Sequence, residues 1–182
     1  MNTVFSQPAA FTPTDCAAIM AIAGQAGLKA AGLVRPSAEQ TLRRADIAWL
    51  DDFPEAAWVM DRVIALMAAA NRKFGYELTG FDESAQCARY SSVTAGHFAW
   101  HSDIGGGALA ARRKLTLVVQ LSDPGAYGGG ALELWPDSHV QQADRAQGTA
   151  TIFPSFVLHR VTPVTAGTRW SLTLWAHGPA FR

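Results

Sequence analysis

Net charge is the first thing this 182-residue chain lacks: fifteen Lys plus Arg balance fifteen Asp plus Glu, so no global field draws in nucleic acid or an anionic membrane. Cysteine is scarce, with only Cys16 and Cys87, far apart in contexts that read as a helix and a strand. Buried free thiols in a reducing compartment are therefore expected, not a disulfide framework. Met1 to Phe11 carries no Lys or Arg and no long apolar run before Pro8; no secretory signal is visible, and a cytoplasmic location is expected. The longest apolar stretch, Glu55 to Ala70, is broken by Asp61 and Arg62 and is too short to span a bilayer. Repeats, low-complexity tracts and linkers are missing as well. What the chain does have is 49% apolar residues against 16% charged, enough to close one sizeable core, so a single domain over residues 1–182 is expected.

Thr12-Pro13-Thr14-Asp15 sets a hydroxyl cap, a first-turn proline and an early acid ahead of an Ala-, Ile- and Met-rich run, which predicts a helix from about Pro13 to Ala26. Asp52-Phe53-Pro54-Glu55 repeats the signal, and Trp58, Val59, Val63, Leu66 and Met67 recur at helical spacing toward Phe74. Between these helices, Leu42 to Leu50 reads as a strand in a turn-rich segment. From Tyr76 the texture changes to short alternating runs punctuated by Gly or Pro. This predicts about eight antiparallel strands: Tyr76 to Phe81, Ala85 to Ser91, His97 to Asp103, Lys114 to Leu121, Ala131 to Trp135, Thr149 to Phe153, Leu158 to Val164 and Thr168 to His177. A helical flank over 1–75 followed by strands over 76–182 argues for a mainly-β α+β fold with a barrel or jelly roll at its centre.

His101-Ser102-Asp103 stands at a predicted strand end, before Gly105-Gly106-Gly107. Residues i and i+2 of a strand share a face, so the His101 imidazole and Asp103 carboxylate point together and can supply two ligands of a metal site. Alone the pair is better read as strand-end polarity. His159, on a later apolar strand, can be the third ligand or a hydrogen-bonded core histidine. Arg169 lies ten residues on, between apolar neighbours; a buried guanidinium needs an anion, either a structural Asp or Glu or the carboxylate of a bound small acid. Two histidines and one carboxylate leave open positions on an octahedral ion, which suits non-haem Fe(II) in an oxygenase, whereas structural zinc is more often closed by four ligands with cysteines common among them.

From about Ala88 to the C-terminus, motif order and spacing resemble the Fe(II)- and 2-oxoglutarate-dependent oxygenase superfamily, in its prolyl 4-hydroxylase-like (PKHD-type) branch. The residues that carry the resemblance are Tyr90 and Gly96, His101-Ser102-Asp103, Arg113 to Thr116 running into Gln120 to Asp123, Tyr127 to Leu134, Phe153-Pro154-Ser155, His159-Arg160-Val161, Pro163-Val164, Gly167, Arg169 and Ser171. The resemblance implies a double-stranded β-helix (jelly roll, cupin-like) with N-terminal flanking helices. It implies that His101, Asp103 and His159 bind Fe(II), that 2-oxoglutarate chelates the same ion, and that Arg169 holds its distal carboxylate, with Ser171 and Tyr90 as further cosubstrate contacts. Many relatives have a tyrosine near the position of Gln120, so the hydrogen-bond set around the cosubstrate departs from theirs. The implied reaction is hydroxylation of an unactivated C–H with O2, releasing succinate and CO2, with ascorbate as a supporting reductant. Its substrate would be a small molecule, a free amino acid or a peptidyl residue such as proline. Asp103 argues against halogenation, which in relatives goes with a small residue at that place.

A non-catalytic sensor or binding module, holding metal and 2-oxoglutarate on the same barrel, is the alternative; a metal-dependent hydrolase, active without O2, is a third. The sequence gives no oligomeric state and expects no nucleic-acid or membrane partner. Arg112-Arg113-Lys114 reads first as a solvated turn and second as a contact with an acidic group. His97 shares the odd-numbered face of His101 and Asp103 and reads as strand polarity, His139 and His177 as structural or exposed. Trp100 reads as a packing residue, Trp135 and Trp175 as packing residues aromatic enough to line a pocket, Gly105 to Gly107 as a mobile lip over the metal site or else a tight turn, and Gly128 to Gly130 as a turn or bulge. Substrate choice is expected to lie with loops around Arg35 to Asp46 and Gly105 to Arg113.

Overall fold

The structure, a computed structural model, describes residues 3–25, 28–30, 42–50 and 53–181. Helix α1 (Pro13–Gln25) starts where the sequence places it. Thr12 Oγ1 accepts from the Asp15 N–H at 3.1 Å while an Asp15 carboxylate oxygen accepts from the Thr12 N–H at 2.9 Å, a reciprocal cap. Ala26 and Asp52 lie outside the described residues. A 3₁₀ turn over Pro54–Ala56 leads into α2 (Ala57–Phe74), which ends on Gly75 at φ +70° and buries Val59, Val63, Met67 and Ala70. No helix among the described residues is long and apolar enough to cross a membrane.

In chain order the strands are β1 (Phe5–Gln7), β2 (Lys29–Ala30), β3 (Arg43–Arg44), β4 (Asp46–Trp49), β5 (Gln86–Ser91), β6 (His97–His101), β7 (Arg113–Gln120), β8 (Tyr127–Gly129), β9 (Leu132–Trp135), β10 (Gln141–Gln142), β11 (Ala150–Pro154), β12 (Leu158–Val161) and β13 (Val164–His177). They form two sheets: an eight-stranded one in the order β1-β11-β7-β13-β5-β4-β2, with β8 also paired to β13, and a five-stranded one in the order β10-β9-β12-β6-β3. Alternation within the large sheet divides its labour. Leu115, Leu117, Val119, Cys87, Leu172 and Leu174 join Ile19, Val59, Val63 and Met67 in the helix-side core. The intervening Thr116, Gln120, Tyr90, Arg169, Ser171 and Trp175 are also buried, on the opposite face that looks toward the small sheet. Cys16 and Cys87 are buried and unbridged, and burial pushes the Cys87 thiol up to about 12.

Several strand expectations need correction. Tyr76 to Phe81 is no strand: the Asn71 side chain holds both the N–H and the C=O of Tyr76, and only Gly80 bridges to His177. Leu158 to Val164 is split, because Pro163 has no N–H to donate and Thr162 turns both its N–H and its hydroxyl to the Ala131 backbone. Thr165-Ala166-Gly167, which falls between two predicted strands, belongs instead to the start of the long β13, paired with β8. Gly129 makes that pairing possible: it sits at φ +66°, where a Cβ would lie 2.1 Å from the Pro163 carbonyl oxygen. Gly129→Ala is expected to lower stability by about 2–4 kcal/mol; urea denaturation showing less than half that loss would refute the strain. Finally, Leu42 to Leu50 is two short strands that change sheets, Arg43–Arg44 pairing with β6 and Asp46–Trp49 with β5.

Candidate active site between the two sheets

His101 closes β6, His159 opens β12 one residue in, and the register sets them directly opposite each other. Asp103 lies just past the end of β6, where its N–H donates to the Ser155 carbonyl at 2.9 Å. Asp103 Oδ1 stands 3.6 Å from His101 Nε2 and Oδ2 stands 3.5 Å from His159 Nε2, with side-chain exposures of only 8%, 13% and 6% for Asp103, His101 and His159. Each imidazole has its Nδ1 at a backbone carbonyl, Ala99 for His101 at 2.7 Å and Val157 for His159 at 3.0 Å. A carbonyl only accepts, so Nδ1 carries the proton and both Nε2 lone pairs face the carboxylate. Burial, and then the neighbouring His159, push His101 down to about 4, so the ring is neutral well below pH 7. Burial works against ionisation of Asp103, but the nearby His159 and His101 rings and the Thr116 hydroxyl, which donates at 2.7 Å, outweigh it and hold the carboxyl below its ordinary value. Three acceptors thus converge within 4.8 Å of one another with no donor among them, a set that can hold a metal ion.

The other end of the same cavity is closed by Arg169, 1% exposed. Its Nε donates to Gln120 Oε1 at 3.1 Å, its Nη1 lies 3.4 Å from Ser171 Oγ, and its ring neighbour is Tyr90, whose centroid is 5.4 Å from Cζ. Nη2 is buried and unpartnered. Burial lowers the guanidinium's proton affinity, against a counter-effect from Tyr90 and Tyr127. The sequence motifs His101, Asp103, His159, Arg169, Ser171 and Tyr90 therefore all line one space.

Strand parity misplaced one neighbour. The β6–β12 register runs His101 to His159 but Phe98 to Val161, so a bulge on β6 turns Phe98, not His97, onto the His101 face. The Phe98 and His101 rings stack at 3.5 Å, while the His97 Nδ1 meets the Ala95 carbonyl. Trp100 packs against Trp135 on the other side, as expected. Trp175, expected to be packing, lines the cavity instead; its buried indole N–H turns toward Asp103 without reaching hydrogen-bond geometry. The sequence assigns Thr116 no role beside Asp103, whereas Gln120 stands at the cosubstrate hydrogen-bond set where the resemblance puts it and Arg43 falls within the Arg35 to Asp46 stretch expected to bear on substrate choice. Gln120 takes one arginine nitrogen with its oxygen and donates through Nε2 to the Tyr127 hydroxyl at 2.6 Å, a relay that fixes the guanidinium.

The cationic run is not a solvated turn. Arg112 pairs with Asp82, Lys114 Nζ sits 3.6 Å over the Phe181 ring, and Arg113 joins Glu83 to the Asp103 carbonyl while its guanidinium lies 4.0 Å over Trp175. Fully buried His177 completes the set: its Nδ1 accepts from the Asp82 N–H and its Nε2 meets Glu83 at 2.9 Å. Burial raises Glu83, but Arg113 and then His177 pull it below its ordinary value. Because the folded carboxyl is the stronger acid, Glu83 stabilises the fold fully above its unfolded pKa near 4.5 and less as pH falls through the lower folded value. Glu83→Gln is expected to cost about 1–3 kcal/mol at pH 7, with the difference from wild type shrinking below about pH 4.5. A difference that is flat from pH 7 to pH 3 in chemical denaturation would contradict this.

Residues 85–177 match the profile of the 2OG-Fe(II) oxygenase superfamily. Among curated proteins, a PKHD-type hydroxylase of Delftia acidovorans is 38% identical over 74 residues, 41% of this chain and 33% of the relative. A PKHD-type hydroxylase of Pseudomonas putida is 35% identical over 85 residues, 44% of this chain and 38% of the relative. The matched stretch thus spans roughly a third of the length of these relatives. Among solved structures, a Pseudomonas putida prolyl-4-hydroxylase superposes with a TM-score of 0.77 at 23% identity, covering 97% of this chain and 93% of that one. A prolyl hydroxylase of Trichoplax adhaerens, in complex with a hypoxia inducible factor oxygen degradation domain peptide fragment, gives 0.80 at 21% identity over 97% and 84%. These likenesses identify the fold as the double-stranded β-helix of prolyl hydroxylases.

Proposed function

The chain belongs to the 2OG-Fe(II) oxygenase superfamily, and from that premise we propose that it hydroxylates an unactivated C–H of a prolyl or other amino acid substrate, consuming 2-oxoglutarate and O2 and releasing succinate and CO2. One observation carries the reading: an acceptor-only cluster of two imidazoles and a carboxylate shares a cavity with a buried arginine that has no carboxylate partner among the described residues. The first calls for a cation and the second for an anion, and Fe(II) with a dicarboxylate cosubstrate satisfies both. Bound iron supplies the oxygen chemistry; the rest is positioning. His101, Asp103 and His159 hold the ion, each fixed from behind by Ala99, Thr116 or Val157. Arg169, steadied by Gln120, takes the distal carboxylate, with Ser171 beside it and Tyr90 as wall. Phe98, Val118, Leu132, Val161 and Trp175 give the remaining lining its apolar character and keep water from competing for the reacting centre. A cytoplasmic setting belongs to the same reading, supported by two buried, unbridged thiols.

The test is succinate formation from 2-oxoglutarate with Fe(II), ascorbate and O2, first without and then with amino acid and peptide pools. Succinate made by wild type and not by His101→Ala is the expected result. Binding of both iron and 2-oxoglutarate without succinate under any condition would replace the hydroxylase with a sensor.

A further inference from the structure

A second cation lines the same cavity and has no role in the reading above. Arg43, on β3, lies beside Phe98 in register, with its Cζ 4.6 Å over the Phe98 ring, which in turn stacks on the candidate ligand His101. Its Nη2 donates to Gln86 Oε1 at 2.7 Å across the gap between the two sheets. Its Nε is buried with no hydrogen-bond partner. The guanidinium groups of Arg62, Arg89, Arg112, Arg113 and Arg160 each meet an Asp or Glu, whereas the two that line the cavity, Arg43 and Arg169, have none among the described residues.

We propose that Arg43 binds the α-carboxylate of the primary substrate, so that the enzyme acts on a free amino acid or a C-terminal residue and not on an internal peptidyl residue. The inference rests on the hydroxylase reading. The two carboxylates of 2-oxoglutarate are used by Arg169 and the metal ion, which leaves Arg43 without an anion. With Asp103, both arginines, a divalent ion and the doubly charged cosubstrate in place, one positive charge stays uncompensated, and among largely buried side chains that favours an anionic ligand. The position fits as well: Phe98 links Arg43 to His101 through two stacked contacts, so a carboxylate held at Nε puts the substrate's carbon skeleton along the metal end of the cavity. An internal residue of a peptide offers only a neutral carbonyl there, which compensates no charge.

The experiment uses three pools: the free L-amino acids, tripeptides ending in the same residues, and those tripeptides amidated at the C-terminus. Stimulation of succinate formation by one of the first two pools and not by the third is expected, and which of the two responds separates free amino acid from C-terminal residue. For the most active acid, Arg43→Gln should raise the half-saturating concentration by about 30-fold or more, and Arg43→Lys should recover part of it. A second readout needs no turnover: the acid should raise the Tm of the Zn(II)- and 2-oxoglutarate-loaded wild type and not of Arg43→Gln. Equal stimulation by the amidated pool, or no stimulation by any pool while uncoupled succinate formation persists, would overturn the substrate class. A raised 2-oxoglutarate requirement in Arg43→Gln would move Arg43 to the cosubstrate and overturn it too. Loss of uncoupled succinate formation in wild type would instead count against the hydroxylase reading, and the Tm comparison would still decide on Arg43.

Discussion

Asp103→Ala is expected to remove iron-dependent succinate formation by a factor of about 10³ or more while leaving the protein folded. The carboxylate is the only anion in the acceptor cluster, and its loss leaves two neutral imidazoles to hold a divalent cation. The fold depends on Asp103 mainly through its backbone, whose N–H donates to Ser155 and whose C=O accepts from Arg113. The side chain's one strong bond, from Thr116, has a fallback, since Thr116 Oγ1 also lies 3.1 Å from Ser155 Oγ. The expected stability change is therefore within about 1–2 kcal/mol. His101→Ala is expected to behave alike in activity. Equilibrium dialysis with Fe(II) under argon and a thermal melt of the apoprotein separate the two effects; iron retained at wild-type affinity by Asp103→Ala would end the assignment.

The strand pattern and the residues that repeat a recognisable spacing were legible because they obey local rules. Thr12 and Asp15 cap α1, the Val59, Val63 and Met67 stripe buries α2, and His101, Asp103, His159 and Arg169 fall where strand ends and a buried arginine place them. What was not legible depends on partners distant in sequence. A bulge needs the opposite strand to define it, so parity chose His97 where Phe98 belongs. Thr116 reads as an ordinary polar residue of a strand, and Gln120 only as a departure from the relatives' tyrosine; the burial of both faces of β7, one under the helices and one inside the barrel, turns them into partners of Asp103 and Arg169. Strands of two or three residues such as β3 and β10 are below any periodicity, yet β3 is what carries Arg43 to the site. Of the two loops expected to choose the substrate, residues 35–41 of the first lie outside the described residues, and from the second Arg113 turns inward to Glu83 while Arg112 pairs with Asp82 at the surface.

Arg169→Met is the sharpest test of the cosubstrate end, because it separates binding from folding in opposite directions. Methionine keeps much of the buried volume but removes a guanidinium that is desolvated, 1% exposed and without a carboxylate among the described residues. Unpaired buried charge costs several kcal/mol and is only partly offset here by Gln120 and the weaker contact to Ser171. Against that gain, Gln120 Oε1 loses its donor, at about 1–2 kcal/mol. The apoprotein is therefore expected to be no less stable than wild type by chemical denaturation. Binding of 2-oxoglutarate should move the other way, since a charge-assisted, two-pronged contact to a carboxylate is worth about 2–4 kcal/mol, or some tens to several hundredfold in affinity. Wild-type protein loaded with Zn(II) should gain Tm on adding 2-oxoglutarate, and Arg169→Met should gain none at the same concentration. Arg169→Lys keeps the charge but not the fork, and is expected to fall between them. Equal Tm gains in wild type and Arg169→Met would show that the dicarboxylate does not sit at Arg169. A large loss of apoprotein stability would show that the buried guanidinium is a structural partner of Gln120, not a vacant anion site.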